Sequence, residues 1–335
     1  MADARNQTGV SEFILLGFSD HPQVQLILFV AFASAYAAAL LGNVSIITVI
    51  CSQPGLHTPM YFFLVNLSLL DIGCVTSTVP QMLTNLLAQK KAISFQGCLA
   101  QMYFFSAFLA TELLLLTEYI LLAVMSYDRY VAICFPLHYG TIMSRKICIL
   151  LVICSWIGGF LAVFIPTAMK SGLPFCGPNI INHFFCDSAP LLHLACSDIR
   201  LIELVDFLVS ASVALGTLLP TVVSYLCILA TIMKIPSTKG RIKAFSTCSS
   251  HFTIITIGYG TSMFIYVRPS QDHFMSLNKV ASLMTTVVTP MLNPFIFSLR
   301  NQQVKEALRD SIAKCFPLQR TPGCDLRIVL KNIFD

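Results

Sequence analysis

Residues 111–134 read TELLLLTEYILLAVMSYDRYVAIC. The run is apolar enough for a membrane interior, yet it carries Glu112 and Glu118 in a repeated Thr-Glu pair and ends on Asp128-Arg129-Tyr130. Hydrocarbon has no water to solvate a carboxylate, so each acid must face protein groups or a water-filled cavity. Such a segment belongs inside a bundle of spans.

The rest of the chain has the same character. Of 335 residues, 56% are hydrophobic and 11% charged, whereas a soluble domain is roughly a quarter charged. A hydrocarbon core about 30 Å thick takes about 20 apolar helical residues to cross. Seven stretches qualify, approximately 26–50, 60–86, 98–126, 147–168, 201–233, 244–267 and 280–299, and the first, fourth and seventh hold no charge at all. The short alternating strands of a membrane barrel are absent from the pattern. The expected fold is an all-α membrane protein, a seven-transmembrane helix bundle over 26–299 with a tail at 1–25 and an amphipathic eighth helix and tail at 300–335. The first apolar run is too long for a cleavable signal and is expected to act as its own anchor.

An odd number of spans puts the termini on opposite sides. With the N-terminus outside, 14 of the 21 Lys and Arg fall on the cytoplasmic side, as the positive-inside rule requires. The net charge of +5 is this topological bias and implies no nucleic-acid partner. Asn6-Gln7-Thr8 is a glycosylation sequon that only a lumenal tail can use, whereas the sequons at Asn43 and Asn66 fall inside spans. The expectation is a multi-pass plasma-membrane protein, N-terminus extracellular and C-terminus cytoplasmic.

Most of the 13 cysteines lie in spans or on the cytoplasmic side. Cys98, Cys176, Cys186 and Cys196 lie outside, where four cysteines suggest two disulfides with three possible connectivities. A rival reading takes His183-x-x-Cys186 and His193-x-x-Cys196 as zinc ligands; otherwise these histidines are loop residues, within reach of a ligand.

Further motifs accumulate along the chain: Gly42-Asn43 in span one, LHTPMYFFLVNLSLLD ending at Asp71, and MSYDRYVAIC closing span three. Ser224-Tyr225 follows in span five, KAFSTCSSH from Lys243 opens span six, and PMLNPFIFSLRN from Pro290 ends span seven. Six motifs in this order on these spans resemble an olfactory (odorant) receptor of the rhodopsin-like G-protein-coupled class, over about residues 12–314.

The resemblance implies a receptor, not an enzyme, that binds a small volatile molecule and activates a heterotrimeric G protein of the olfactory stimulatory type, raising cAMP. It implies a switch in which Arg129 is held by Asp128, beside Tyr130, and meets Tyr225 when active, with His251 on span six and Asn293-Pro294 on span seven as further parts. It also implies an inward polar site of Asp71 and a span-three Glu that can hold Na⁺ as an allosteric ion. Physically, two adjacent buried carboxylates repel, so either a cation sits between them or one keeps its proton. Phe297 stands where the family has Tyr, which removes a hydroxyl from the active-state network. Pro290 and Pro294 are expected to break the last helix. Val304, Ala307, Leu308 and Ile312 recur at helical spacing on an interfacial helix, and Cys315 is either palmitoylated or a plain thiol.

An apolar cavity with one or two polar anchors suits such a ligand. Carried over by position, its candidates are Phe105, Ser106, Leu109 and Ala110 on span three and Val209, Ser210 and Val213 on span five. Tyr259, Ser262, Met263 and Tyr266 follow on span six, with Leu283 and Thr286 on span seven. Each could equally be ordinary packing. With cations only at the rim, Lys279 or Arg268, a neutral alcohol, aldehyde, ketone or ester is the expected ligand.

The repeat in the opening stretch departs from the family pattern. One Glu is expected fourteen residues after the outer cysteine and eleven before the arginine; here Glu112 meets the first condition and Glu118 the second. About six residues are therefore extra, adding roughly 9 Å of rise and a phase shift of about 240°. The helix must push outward, loop out or rotate one end, and Glu118 is the favoured partner of Asp71, with Glu112 pointing elsewhere. A receptor disabled by this insertion is one alternative. Others are an ion-coupled transporter or channel, which would show paired halves that are not seen, and a membrane enzyme built on His251 with nearby serines.

Overall fold

The computed structural model describes residues 10–18, 21–134, 145–176, 178–234, 236–238, 240–242, 256, 260, 275–300 and 302–315, with the side chains of 116–134 and 297–300 among those not described. Span six, apart from Thr256 and Gly260, lies outside the described residues, as do Asn6 and the tail beyond Cys315. Five described segments are long and apolar enough to cross a membrane. They fall in α1 (Pro22–Ser52), α2 (Pro59–Leu87), α3 (Phe95–Cys134), α4 (Arg145–Ser171) and α5 (Arg200–Ile232). Span seven is α6 (Met275–Leu283), a π turn (Met284–Val288) and α7 (Thr289–Arg300); α8 (Gln302–Cys315) follows.

Proline opens both α1 and α2 at the first helical position, where its missing N–H is no loss. The helices bury one face and leave the other apolar and exposed: Leu41 is 69% exposed, Leu161 62% and Leu219 65%. In water that would be untenable. Against lipid it is the expected surface.

Two apolar clusters form the core. The inner one gathers Ile46, Val49, Tyr61, Phe63, Leu115 and Val152 from α1–α4, with Val304 and Ala307 of α8 closing it. Tyr61 donates its hydroxyl hydrogen to Gln303 Oε1 at 2.7 Å, fastening α8 to α2. The outer cluster holds Phe32, Val75, Val79, Phe105, Leu109 and Val287, with Phe184 and Phe185 inserted from the loop after α4. Asn66, whose sequon is a chance match, accepts from Trp156 Nε1 at 3.2 Å and ties α4 to α2.

The all-α expectation needs one amendment. Glu12–Leu15 (β1) lies between Ala92–Ser94 (β2), to which it is antiparallel, and Ile180–Ile181 (β3), to which it is parallel. Loops that cross a bundle end must pair their backbone groups, and short strands achieve this. Phe13 and Leu15 are fully buried beneath the sheet with Ile181 and Leu191.

The last span also departs from expectation. Breaks are expected at Pro290 and Pro294, yet α geometry runs from Thr289 through Pro294 to Arg300. The irregularity precedes Pro290, where Thr289 N–H bonds the carbonyl of Met284, five residues back. Pro290 cannot donate to the carbonyl of Thr286 and its ring crowds that group, so the turn ahead of it widens. Pro294 likewise deprives the Pro290 carbonyl of a donor, and Asn43 Nδ2 on α1 supplies one at 3.1 Å. The contact requires the adjacent Gly42, because a Cβ there would stand 2.8 Å from Pro294 Cβ.

Gly42→Ala should therefore force α1 and α7 apart and cost about 1–3 kcal/mol. A lower thermal midpoint in detergent is expected, with lipid-facing Leu41→Ala near native as the control.

Candidate functional site

Between the two apolar clusters lies a polar layer. Asp71 is buried at the middle of α2 and accepts from Asn293 Nδ2 of α7 at both oxygens, 3.0 and 3.2 Å. Its acidic neighbour is Glu112 of α3, buried and close enough for its charge to act on Asp71. This corrects the expectation that Glu112 points elsewhere. Asn43, with its Oδ1 buried and unpartnered, joins α1 to α7 at Pro290, one turn before Asn293. Three helices thus meet in one set of amide and carboxylate groups, and Asn43 ties α1 to the same stretch of α7. The Glu118 side chain lies outside the described residues.

The reason is the outer anchoring of α3. Cys98 is bonded to Cys186, and Gln101 bridges α2 and the loop, donating to Ser77 O at 3.0 Å and accepting from Cys186 N–H at 2.9 Å. Counting from that anchor, Glu112 is the residue at the depth of Asp71. The helix runs unbroken through Cys134, about 60 Å at 1.5 Å per residue. The surplus length therefore falls on the inner side, where the side chains of Asp128, Arg129 and Tyr130 lie outside the described residues, as does His251.

The disulfides settle the open connectivity as Cys98–Cys186 and Cys176–Cys196. Both sulfur atoms of the zinc reading are consumed, and no metal-holding group of three or more His, Cys, Asp or Glu occurs among the described residues.

The ligand candidates divide between two places. Phe105 and Leu109 are buried in the outer cluster, with Leu283 packed against it, and Ala110 is buried beside them in sequence on α3. Val213 packs against Leu113 together with Leu218 and Tyr225. Ser106, Val209 and Ser210 are half-buried. Thr286 is fully buried and spends its hydroxyl hydrogen on Ser282 O at 2.8 Å. Tyr259, Ser262, Met263, Tyr266 and Arg268 lie outside the described residues. Lys279 is engaged: its Nζ donates to Gly17 O at 2.9 Å and Asn182 Oδ1 at 2.8 Å.

Sequence reading missed the loop aromatics. Phe185 meets Phe105 edge-on at 5.2 Å between centroids, and Phe184 stacks on Phe18 at 4.7 Å. The apolar pair directly before Cys186 was the available signal. A buried ion pair was missed too: Lys170 Nζ lies 2.7 Å from Asp206 Oδ1, joining α4 to α5, and Ser188 donates to Asp206 Oδ2 at 2.9 Å. Nearby, burial pushes Asp187 above the ordinary carboxylate range.

The olfactory receptor family model matches residues 32–315. The chain belongs to the olfactory receptor family. Human olfactory receptor 6J1 is 52% identical over 301 residues, spanning 90% of this chain and 85% of that protein. Human olfactory receptor 6C4 is 49% identical over 314 residues, 94% and 100% of the two chains, and mouse olfactory receptor 6E1 is 48% identical over 314 residues, 92% and 97%. An olfactory receptor is a membrane protein of seven spans and belongs to no enzyme family, which sets aside the transporter and membrane-enzyme readings.

Two outcomes follow for this receptor. Asn293→Ala should leave Asp71 without its donor and lower stability by about 1–3 kcal/mol, read as a lower thermal midpoint. Burial, and next the charge of Lys279, lower the pKa of His183 from 6.5 to about 3. Between these values the unfolded chain binds a proton that the folded chain refuses, so His183 makes stability fall as pH drops below 6.5. The gap in thermal midpoint between His183→Phe and the native receptor should shift in favour of the variant from pH 7 to pH 5.

Proposed function

We propose that this receptor binds a small neutral volatile molecule in the outer half of its bundle and activates a stimulatory, olfactory-type G protein, raising cAMP. The observation that carries the reading is the buried meeting of Asp71, Glu112 and Asn293. A carboxylate pair in an apolar bundle is costly in any single arrangement. It suits an element with two packings of similar energy, which a ligand with unequal affinity for the two can bias. Ligand neutrality is supported by the aromatic and aliphatic wall around Phe105 and by the prior engagement of Lys279 with Gly17 and Asn182. Orientation with the N-terminus outside is supported by both disulfides lying at the end that also holds β1.

The hard carboxylate oxygens of Asp71 and Glu112, buried as neighbours, are the donors that would hold a sodium ion. Such an ion would supply the positive charge that lets both carboxylates ionise. Asn293 orients Asp71 whether or not the ion is present.

A second reading rests on α3. Its outer register is anchored at Cys98 and Glu112, so the roughly six extra residues carry Asp128-Arg129-Tyr130 about 9 Å further along the axis than the family spacing. The switch is then displaced from its G-protein position. A cAMP reporter in cells separates the readings, using a broad odorant panel, the native receptor, a form lacking 113–118 and an Asp71→Asn/Glu112→Gln double variant. The first reading expects an odorant response from the native receptor that the double variant loses at equal surface expression. Silence of the native receptor with a response from the shortened form would establish the second.

A further inference from the structure

We propose that α6, the outermost piece of span seven, is a separately hinged lid that pivots on the π turn and is latched to the outer loop by Asn278 and Lys279. The proposal goes beyond the receptor reading and depends neither on the identity of a guest nor on coupling.

The hinge follows from the backbone. Regular winding would give the Thr286 carbonyl a donor from position 290, and proline has none. The turn at Met284–Val288 widens instead, with Thr289 N–H on the Met284 carbonyl, an interruption at which helices bend. Packing changes at the same place. On the inner side α7 lies against α1 and α2, and the π turn itself touches both. On the outer side the nine residues of α6 pack closely against no other helix among the described residues. So short a helix has little stability of its own, and a segment with few packed neighbours opens before the rest.

The latch closes its free end. Lys279 Nζ donates to Gly17 O at 2.9 Å and to Asn182 Oδ1 at 2.8 Å, and Asn278 Nδ2 donates to Asp187 Oδ2 at 3.5 Å. These partners are firmly grounded. Leu16 N–H donates to Ile181 O at 3.0 Å and Gly17 N–H to His183 O at 3.1 Å, so the N-terminal segment and the loop form one unit. On one side of Asp187, Cys186 is bonded to Cys98 of α3. On the other, Ser188 donates to Asp206 of α5, which also takes Lys170 of α4. Residues 186–188 thus reach α3, α6 and α5 in turn. The fastening to α3 is covalent and that to α4 and α5 runs through a buried ion pair, whereas α6 is held by side-chain hydrogen bonds. The weakest joint meets the hinged helix.

The lid covers apolar surface. Ala281 and Ser282 of α6 are buried, and Leu283 packs against the outer cluster of Phe105, Leu109 and Phe184, while Leu277 and Val280 face outward. Releasing Asn278 and Lys279 lets α6 tilt from the loop and uncovers that cluster, with α7 and the Asp71–Asn293 contact left in place.

The test uses the full-length receptor in phosphatidylcholine nanodiscs and hydrogen–deuterium exchange read by peptide. Lys279→Met keeps the apolar stem and removes the donor. It should speed exchange across 275–283 on the order of tenfold, the worth of one charged hydrogen bond, with 289–300 unchanged. Lys279→Arg, which retains a charged donor, should stay near native. Asn278→Ala removes only the longer bond, should give a smaller rise, and keeps the test decisive if K279M fails to fold. Adding Pro290→Ala, which restores the missing N–H, should slow exchange in α6 again by joining it to α7. Uncovering is read with methyl methanethiosulfonate on Leu109→Cys, whose labelling, followed by mass spectrometry, should quicken on the order of tenfold when Lys279→Met is added. No change in α6 exchange in either latch variant overturns the latch. A rise shared equally by α6 and α7, span seven moving as one rod, overturns the hinge. Faster exchange in α6 with unchanged labelling overturns the lid.

Discussion

A carboxylate in the middle of an apolar helix bundle has to be surrounded by groups that tolerate it, and Asp71 organises this receptor around that requirement. Asn293 donates to both of its oxygens, which holds α7 against α2. The same stretch of α7 is available only because Pro294 leaves a carbonyl for Asn43 and Gly42 lets the helices approach. Glu112 brings in α3. Apolar clusters above and below keep the layer dry and fix its depth, so disturbing one polar partner affects four helices.

The outer end is held by different physics. Here water competes for every backbone group, and lipid cannot be relied on to align the segments. Two disulfides, a three-stranded sheet and the bridging amide of Gln101 take over from helix packing. The N-terminal strand inserts Phe13 and Leu15 beneath the sheet, and Lys279 fastens the chain at Gly17 to the loop at Asn182. This scaffold positions Phe184 and Phe185 against α3. It also anchors the outer register of the longest helix, so that extra length in α3 is carried inward.

Much of this was legible in the residues. Long apolar stretches specify spans because the cost of exposing backbone and charge to hydrocarbon is large and local, and each of the five described spans starts within a few residues of where composition puts it. Asp71 as an inward polar group follows from the same cost. The amphipathic spacing of Val304 and Ala307 anticipates α8, and both are buried. Where reading failed, the deciding contacts were remote in sequence. Counting from either end of α3 offered Glu112 or Glu118, and only the tie from Cys98 to Cys186 picks the first. The prolines of span seven announced irregularity without its position, because the π turn depends on how Pro290 seats against its neighbours.

The chain by itself determined that it lies in a membrane, where the five described spans begin and that Asp71 must turn inward, since these follow from transfer costs that each segment bears alone. Which acid meets which amide, how four outer cysteines pair and where loop aromatics enter the core were decided in three dimensions. Those outcomes depend on the relative depth and rotation of helices, and such quantities are set by packing between segments up to 262 residues apart, the separation of Gly17 and Lys279.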